Sequence, residues 1–235
     1  MNENCRIKVP FFEIGPKSYL YGDDVLELAL AADCASKKYK VDIIFTTPII
    51  DIRRVKEATK YIHVFAPHMD PIKPGRGLAD VLPESLVAAG AEGVMLNHIE
   101  KPVSIKVLAE TIRRAEQVGL VTIVCADSLK QITRIARLAP DIIVGEPSEL
   151  IGSGMGVSPE YVKIVTSAIR SINSHILVLT AAGISNGEDV YRVIMAGADA
   201  TGSSSGIAKA SDRSAMVDEM IGAVRCAWNI REKRK

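Results

Sequence analysis

The sequence predicts an α/β protein built as a closed (β/α)8 barrel, and three observations support that prediction. The chain has 235 residues, of which 48% are hydrophobic, and this size suits one barrel domain spanning residues 1–235. Short apolar runs rich in strand-forming residues recur about eight times along the chain. Helical patterns lie between most of these runs, and such alternation favours parallel strands joined by right-handed crossovers.

The elements follow one another without a linker. The expected strands are CRIKVPFF, VDIIFTT, IHVFAP, GVMLN, VTIVCAD, DIIVGEP, ILVLTAAG and ADATGSSSG. Helical spacing is clear in GDDVLELALAADCASKKY, VSIKVLAETIRRAEQVG and SPEYVKIVTSAIRSI. We expect one helix to begin at about Pro102 and to stop at Gly119, and another to have Ser158 as N-cap and Pro159 as its first residue. A doubly wound open sheet would favour a glycine-rich loop after the first strand, and FFEIGPKS is not one.

Charge and cysteine content exclude several classes of partner. The formal net charge is +1, which gives no electrostatic basis for binding nucleic acid or an acidic membrane surface. The four cysteines are far apart, and no apolar segment is long enough for a leader or a membrane span. The sequence therefore predicts a cytoplasmic protein without structural disulfides. Its basic end, REKRK, is expected to be a solvated terminus.

Polar residues follow several expected strands, at the end where a barrel builds its active site. His98 and Glu100 come after the fourth strand in GVMLNHIEKP, where an apolar run breaks off just before a helical pattern. Glu146 follows the sixth strand, Ser185 the seventh, and Ser203–Gly206 the eighth. Serine and glycine there suit a phosphate held by backbone N–H groups without a cationic side chain. Several such residues at strand exits in barrel order predict one catalytic site.

Three segments resemble the triosephosphate isomerase family, particularly its compact archaeal type. They are HMDPIKPGRGLADVLPESLVAAGAEGVMLNHIEKP, VGEPSELIGSG and TAAGISNGEDV, and the resemblance covers most of the chain from about Val41 to Met216. It implies a TIM barrel that interconverts an aldose phosphate and a ketose phosphate through an enediol, with no metal and no organic cofactor. The leading substrates are glyceraldehyde 3-phosphate and dihydroxyacetone phosphate. The resemblance also implies a homodimer or a homotetramer.

The resemblance assigns roles to the residues at matching positions. Glu146 is similar to the carboxylate base that moves a proton between neighbouring carbons, and His98 is similar to the neutral imidazole that polarises the carbonyl. This pairing is taken from the known family mechanism. The positive end of the helix at Pro102 is expected to keep His98 uncharged, and Glu100 is expected to order the site by hydrogen bonding. The phosphate end is matched by Gly152 in a lid at Pro147–Gly154, by Ser185, and by the pair Ser205 and Gly206.

The first strand departs from the family pattern. The family has Asn-x-Lys at the end of this strand, whereas this chain reads PFFEIGPKSY. Lys17 is the favoured counterpart of the lysine, whose ammonium stabilises the negative charge of the transition state, and it would follow a small insertion. The alternative is that Glu13 occupies that place and that Lys17 is a surface residue.

The walls of the site depart from the family as well. Ile99 stands where a serine is usual, and Pro67 precedes His68 where glutamine is common. The third loop, Lys73–Asp80, replaces a threonine-bearing loop that reaches into the neighbouring subunit. Arg76 in this loop would meet a second anionic or hydroxylated end of a longer substrate, or it is a solvated loop tip.

Three classes of function stay open at the level of the sequence. The first is the isomerase, acting on triose phosphates or on a related C4–C5 sugar phosphate. The second is a lyase or an epimerase, which would need a lysine inside the barrel or several inward metal ligands. No metal site is expected, because the four histidines do not fall at consistent strand exits; they are His63, His68, His98 and His175. The third is a catalytically degraded relative that binds a phosphorylated metabolite.

Overall fold

A closed barrel of parallel strands is the centre of the fold. The structure, a computed structural model, describes residues 7–147 and 157–234. Its strands are β1 (Phe11–Ile14), β2 (Asp42–Thr46), β3 (Ile62–Ala66), β4 (Gly93–Leu96), β5 (Val121–Ala126), β6 (Ile142–Gly145), β7 (Leu177–Thr180) and β8 (Ala200–Ser203). They pair in chain order, and β8 pairs with β1 to close the ring. The expected (β/α)8 barrel is therefore confirmed.

Helices surround the barrel. In the described ranges they are α1 (Asp23–Tyr39), α2 (Ile52–Ala58) after a short 3₁₀ turn at Ile49–Asp51, α3 (Pro83–Ala89), α4 (Ile105–Val118), α5 (Leu129–Ala136), α6 (Pro159–Ile172), α7 (Gly187–Ala196), α8 (Ser205–Ala208) and α9 (Arg213–Glu232). Within these same ranges, no helix combines the length and the hydropathy that a membrane crossing needs.

Local sequence signals set several helix ends as expected. The Ser158 side chain accepts a hydrogen bond from the backbone N–H of Tyr161, and Pro159 is the first residue of α6. Gly119 ends α4 in the left-handed conformation that glycine adopts without steric strain.

The expected start of α4 was wrong by three residues. The helix begins at Ile105, because Ser104 is its N-cap and accepts a hydrogen bond from the backbone N–H of Val107. A turn occupies the residues between His98 and this cap, so the helix start is not directly behind the histidine.

The expected first strand was also misplaced along the chain. β1 pairs with β2 and β8 only from Phe11 onward, and it continues to Ile14. Pro10 has no N–H to donate to a strand ladder, which is consistent with pairing that begins after it. The shift puts Glu13 inside the strand rather than after it.

The basic end of the chain is not simply a solvated terminus. Arg231 belongs to α9 and donates hydrogen bonds to the carbonyl oxygens of Ile194 and Ala198, at 2.5 and 2.6 Å. Its guanidinium also lies 4.2 Å from the ring centroid of Trp228. The expectation for Arg231 was therefore wrong, because the helix continues through it and brings it against α7.

Strand residues alternate between two apolar layers. Phe12 and Ile14 of β1 pack with the surrounding helices, whereas Phe11 packs inside the barrel with residues such as Ile44 and Phe65. Burying a side chain of this size contributes about 2–3 kcal/mol to folding. Because alternate residues of a strand point to opposite faces, Glu13 points into the barrel, as Phe11 does.

Candidate active site

A cavity of about 820 Å³ opens at the carboxyl ends of the strands. It is the end of the barrel where the loops after the strands meet. The residues predicted from the sequence that line it are Lys17, His98, Glu100, Glu146, Ser185, Ser205 and Gly206. The predicted Gly152 lies outside the described residues.

The turn after β4 fixes the position of His98. Asn97 has a positive φ of 57°, and its amide donates to the carbonyl oxygen of Cys125 at 2.9 Å. The same side chain accepts a hydrogen bond from the backbone N–H of Val103 at 3.2 Å. Asn97 thereby connects β5 to the segment just before the N-cap of α4. His98, the next residue, lines the cavity.

The hydrogen bonds of His98 assign its tautomer. Its Nδ1 atom accepts from the backbone N–H of Glu100 at 3.1 Å. A neutral imidazole that accepts at Nδ1 carries its proton at Nε2. The Nε2–H group therefore faces the cavity as a hydrogen-bond donor.

Burial and a neighbouring cation keep His98 neutral. Burial lowers its pKa most, Lys17 lowers it further, and Glu100 opposes the shift. The sequence attributed this neutrality to a helix start at about Pro102, whereas α4 begins at Ile105. The groups that shift the pKa come instead from the first and fourth strand exits.

Glu146 lies next to His98 in the cavity. Its backbone N–H donates to the carbonyl oxygen of Ala126 at 3.0 Å, which continues the pairing of β5 and β6 beyond the strand. Its Oε2 atom lies 3.9 Å from Nε2 of His98. Burial raises the pKa of Glu146, Lys17 lowers it, and Glu100 raises it again. A carboxylate of raised pKa is a stronger base than an exposed one.

Lys17 lies among the same groups. Its Nζ atom is 3.0 Å from Oε1 of Glu100, and its backbone has a positive φ of 49°. A non-glycine residue in this conformation is uncommon, and such strain is concentrated at functional sites. Lys17 and Glu13 both line the cavity, Glu13 from inside β1 and Lys17 from the turn that follows. The two residues therefore occupy different places in the site.

The turns after β7 and β8 pack tightly at the edge of the cavity. A Cβ atom at Gly206 would lie 2.5 Å from the carbonyl oxygen of Ile184 and 2.7 Å from Oγ of Ser203. Only glycine fits without a backbone shift. The close approach places the first residues of α8, Ser205 and Gly206, against the turn that carries Ser185.

Ser185 already has an acceptor for both of its donors. Its backbone N–H and its hydroxyl both donate to Oδ2 of Asp189 in α7, at 3.0 and 2.9 Å. The hydroxyl also accepts from the Asn186 amide at 3.2 Å. A phosphate at this position would share Ser185 with Asp189.

Two cavity residues were missed by sequence reasoning. Lys209 lines the cavity just after α8, with its ammonium 5.0 Å from the ring centroid of Tyr19, although no cation was expected at this end. His68 lines it two residues after β3, a strand exit at which sequence reasoning assigned it no role. Its Nε2 atom lies 3.2 Å from Oδ1 of Asp70. The signal in the sequence that could have identified His68 as a cavity residue was its position just after an expected strand.

The altered wall residues differ in their relation to the cavity. Pro67 lines it, whereas Ile99 is 45% exposed and lines a smaller neighbouring pocket together with Glu146. Residues 73–80 are all exposed, and Arg76 does not line the cavity. Across the described ranges, no group of three His, Cys, Asp or Glu side chains is placed to hold a metal ion.

Comparison with known proteins identifies the family. A family model described as triosephosphate isomerase matches residues 17–220. This chain belongs to the triosephosphate isomerase family. The triosephosphate isomerase of Sulfurisphaera tokodaii is 36% identical over 219 residues, which cover 92% of this chain and 95% of the relative. Those of Sulfolobus acidocaldarius and Methanothermus fervidus are 33% and 35% identical, covering 92% and 85% of this chain and 95% and 91% of the relatives.

These matches confirm the resemblance to archaeal triosephosphate isomerases of the same compact length. The family match begins at Lys17, so Glu13 lies outside the matched residues. The part of β1 that departs most from the triosephosphate isomerase pattern is thus also a wall of the cavity.

Proposed function

We propose that the chain interconverts glyceraldehyde 3-phosphate and dihydroxyacetone phosphate through an enediol. The observation that carries the proposal is the placement of a carboxylate and a neutral imidazole side by side in one cavity, with 3.9 Å between Glu146 Oε2 and His98 Nε2. The relatives of this chain bear the name of that enzyme.

Each polar group has a defined task in the proposed reaction. The Glu146 carboxylate removes the proton from the carbon beside the carbonyl, and that electron pair forms the carbon–carbon double bond of the enediol. The His98 Nε2–H group gives its proton to the carbonyl oxygen as that oxygen gains negative charge, and the imidazole then takes up the proton of the hydroxyl group on the carbon that lost its hydrogen, which becomes the new carbonyl carbon. Glu146 then returns the proton to the neighbouring carbon. The reaction only moves protons between atoms of one molecule, so the proposal includes no metal and no organic cofactor.

Lys17 and Glu100 set the electrostatics of these steps. The Lys17 ammonium stabilises the negative charge on the substrate oxygens, and its ion pair with Glu100 holds it at the cavity. The same cation adds to the lowering of the His98 pKa by burial and opposes the rise of the Glu146 pKa by burial, which favours a neutral imidazole and an ionised base. At the phosphate end we assign Ser185, Ser205 and Gly206 as the binding residues.

The first test measures exchange of substrate hydrogen with deuterated solvent, because exchange reports enediol formation whichever product is preferred. We expect Glu146→Gln to lower exchange by at least 10²–10⁴-fold, about the contribution of general-base catalysis. Glu116→Gln, an exposed position on α4, is the matched control. Exchange by the Glu146→Gln variant at the rate of the control would exclude Glu146 as the base.

The same assay, run on C3, C4 and C5 sugar phosphates, ranks the substrates. Each misfitted methylene-sized group is worth about 1–3 kcal/mol, so the preferred substrate should lead by at least tenfold in kcat/KM. A C4 or C5 phosphate that leads by this margin would contradict the triose assignment. Binding of these phosphates without any exchange would identify a degraded relative.

We further propose that the chain assembles as a homodimer or a homotetramer in the cytoplasm. The exposed loop at residues 73–80, beside the cavity, supports assembly, since the side chain of Leu78 is fully exposed. Unpaired, exposed thiols at Cys34 and Cys226 suit a reducing compartment.

A further inference from the structure

Glu13 is a carboxyl group in the cavity that the proposed mechanism does not use. It is the third residue of β1, paired in register with Ile44 and Gly202, and its side chain follows that of Phe11 into the barrel. It lines the cavity and is only partly buried, yet its Oε1 atom is inaccessible and has no hydrogen-bond partner among the described residues. A buried carboxyl oxygen without a partner is unfavourable, so the site needs an explanation.

Two glycines leave the space that this carboxyl occupies. A Cβ atom at Gly15 would lie 3.0 Å from Glu13 Oε1, and one at Gly202 would lie 3.1 Å from Glu13 Oε2. A side chain at either position would therefore crowd the carboxyl. The cavity wall at β1 and β8 thus consists of one acidic group flanked by bare backbone.

Burial favours the neutral form of Glu13. The pKa of Glu13 is raised to about 7, chiefly by burial and further by the nearby Glu146, against the opposing effects of Thr46 and Lys17. The Cys125 thiol also faces this region, and burial together with the two carboxylates raises its pKa, so it adds no charge at neutral pH. A second carboxylate beside Glu146 would be repelled, whereas a neutral carboxyl can donate a hydrogen bond, and Oε1 of Glu13 has no partner among the described residues.

We propose that Glu13 is a substrate-binding residue, whose protonated carboxyl donates a hydrogen bond to an oxygen at the reacting end of the sugar phosphate. The inference rests on the proposed function, since it adds a contact to the same site. Glu13 supplies a polar group from β1, whereas His98 and Glu146 come from the segments that follow β4 and β6. When Glu13 is protonated, Glu146 is the charged member of the two carboxyl groups, and the charged form is the one that a general base requires.

The test compares wild type, Glu13→Gln and Glu13→Met for binding of glycerol 3-phosphate, measured by calorimetry at pH values from 6 to 8.5. This probe has the hydroxyls and the phosphate but no carbonyl, so binding is measured without turnover. The Gln side chain keeps a neutral donor, and the Met side chain keeps the volume without one. Near pH 6 we expect the Met variant to bind about tenfold or more weakly, and the Gln variant to lose at most about threefold.

The pH dependence gives the sharper readout. As pH rises from 6 to 8.5 through the pKa of about 7, Glu13 ionises and loses its proton, while Gln does not. The affinity of wild type for glycerol 3-phosphate should therefore fall, relative to that of Glu13→Gln, by about tenfold or more over this range. Ionisation of the phosphate itself cancels in the ratio of the two proteins.

The outcomes separate this inference from the proposed function. Parallel pH dependence of wild type and Glu13→Gln would overturn the protonated donor, even if Glu13→Met does not fold. Equal binding by a folded Glu13→Met variant would overturn the contact itself. Failure of the proposed function would appear elsewhere, as wild-type binding of phosphates without hydrogen exchange.

Discussion

Lys17 is the residue on which the electrostatics of the cavity depend. It is paired with Glu100 at 3.0 Å, adds to the lowering of the His98 pKa by burial, and opposes the rise of the Glu146 pKa by burial. Its left-handed backbone, φ 49°, lies in the turn that follows β1. Sequence reasoning left Lys17 and Glu13 as rivals for one position, and the structure gives each a position of its own in the cavity.

At this scale we predict that Lys17→Met lowers turnover by roughly 10²–10³, the typical effect of removing one group that stabilises transition-state charge. The physical reason is that the ammonium acts on charge that develops during the reaction. Steady-state kcat and KM are the measurement, and the melting temperature should change little. Lys106→Met, at an exposed position on α4, is the matched control.

A Lys17→Met variant that keeps nearly wild-type turnover would contradict the assignment of Lys17 as the group that stabilises transition-state charge. If Glu13 variants were inactive in the same series, the first-strand position would belong to Glu13 instead.

At the scale of elements, an ionic network joins β2, β3 and α2 at the end of the barrel opposite the cavity. His63 lies between two carboxylates, with Nδ1 2.8 Å from Glu92 Oε2 and Nε2 3.4 Å from Asp42 Oδ2. Lys56 of α2 completes the network at 2.6 Å from Glu92 Oε1. Despite burial, which opposes the shift, these carboxylates raise the pKa of His63 to about 9, while His63 and Lys56 lower that of Glu92 to about 2.

The network predicts a loss of stability at alkaline pH. The folded-state pKa of His63 lies above its ordinary value of 6.5, so its contribution is complete below about pH 6.5 and is lost as pH rises through 9. We expect the free energy of unfolding to fall by on the order of 2–3 kcal/mol across this window. Chemical denaturation at each pH is the measurement.

His63→Gln should be less stable than wild type near pH 6 and should lack most of this alkaline slope. His175→Gln, at an exposed position, should keep the wild-type slope. An alkaline slope that persists in His63→Gln would assign the loss to other groups.

At the scale of the whole molecule, the loop at residues 73–80 is the surface that bears on assembly. All eight residues are exposed, and the loop follows β3 on the same side of the barrel as the cavity. Arg76 does not line the cavity, so within one chain it does not meet the substrate.

We predict that Leu78→Asp reduces the number of subunits in the assembly, because a charge would have to be buried at an interface where an apolar side chain packs. Light scattering coupled to size-exclusion chromatography measures the mass. Ile164→Asp, an exposed isoleucine on α6, is the matched control and should keep the wild-type mass. A wild-type protein of monomer mass would contradict the proposed assembly.

The sequence by itself determined the barrel and much of the site. Apolar runs and helical spacing are local patterns, so they fixed the number and order of the elements, and the caps Ser158 and Gly119 fixed helix ends. Parallel strands bring their carboxyl ends to one edge, which is why His98 and Glu146 could be placed in one site from their positions in the chain, while their roles came from the family resemblance.

Only the tertiary structure decided how residues distant in the chain meet. The pairing of Lys17 with Glu100 spans 83 positions, and no local pattern specifies it. The register of β1 decided that Glu13 faces the barrel interior, since a shift of one residue would have reversed every side chain of the strand. The neutrality of His98 likewise comes from burial and from Lys17, because desolvation and charge act through space and not along the sequence.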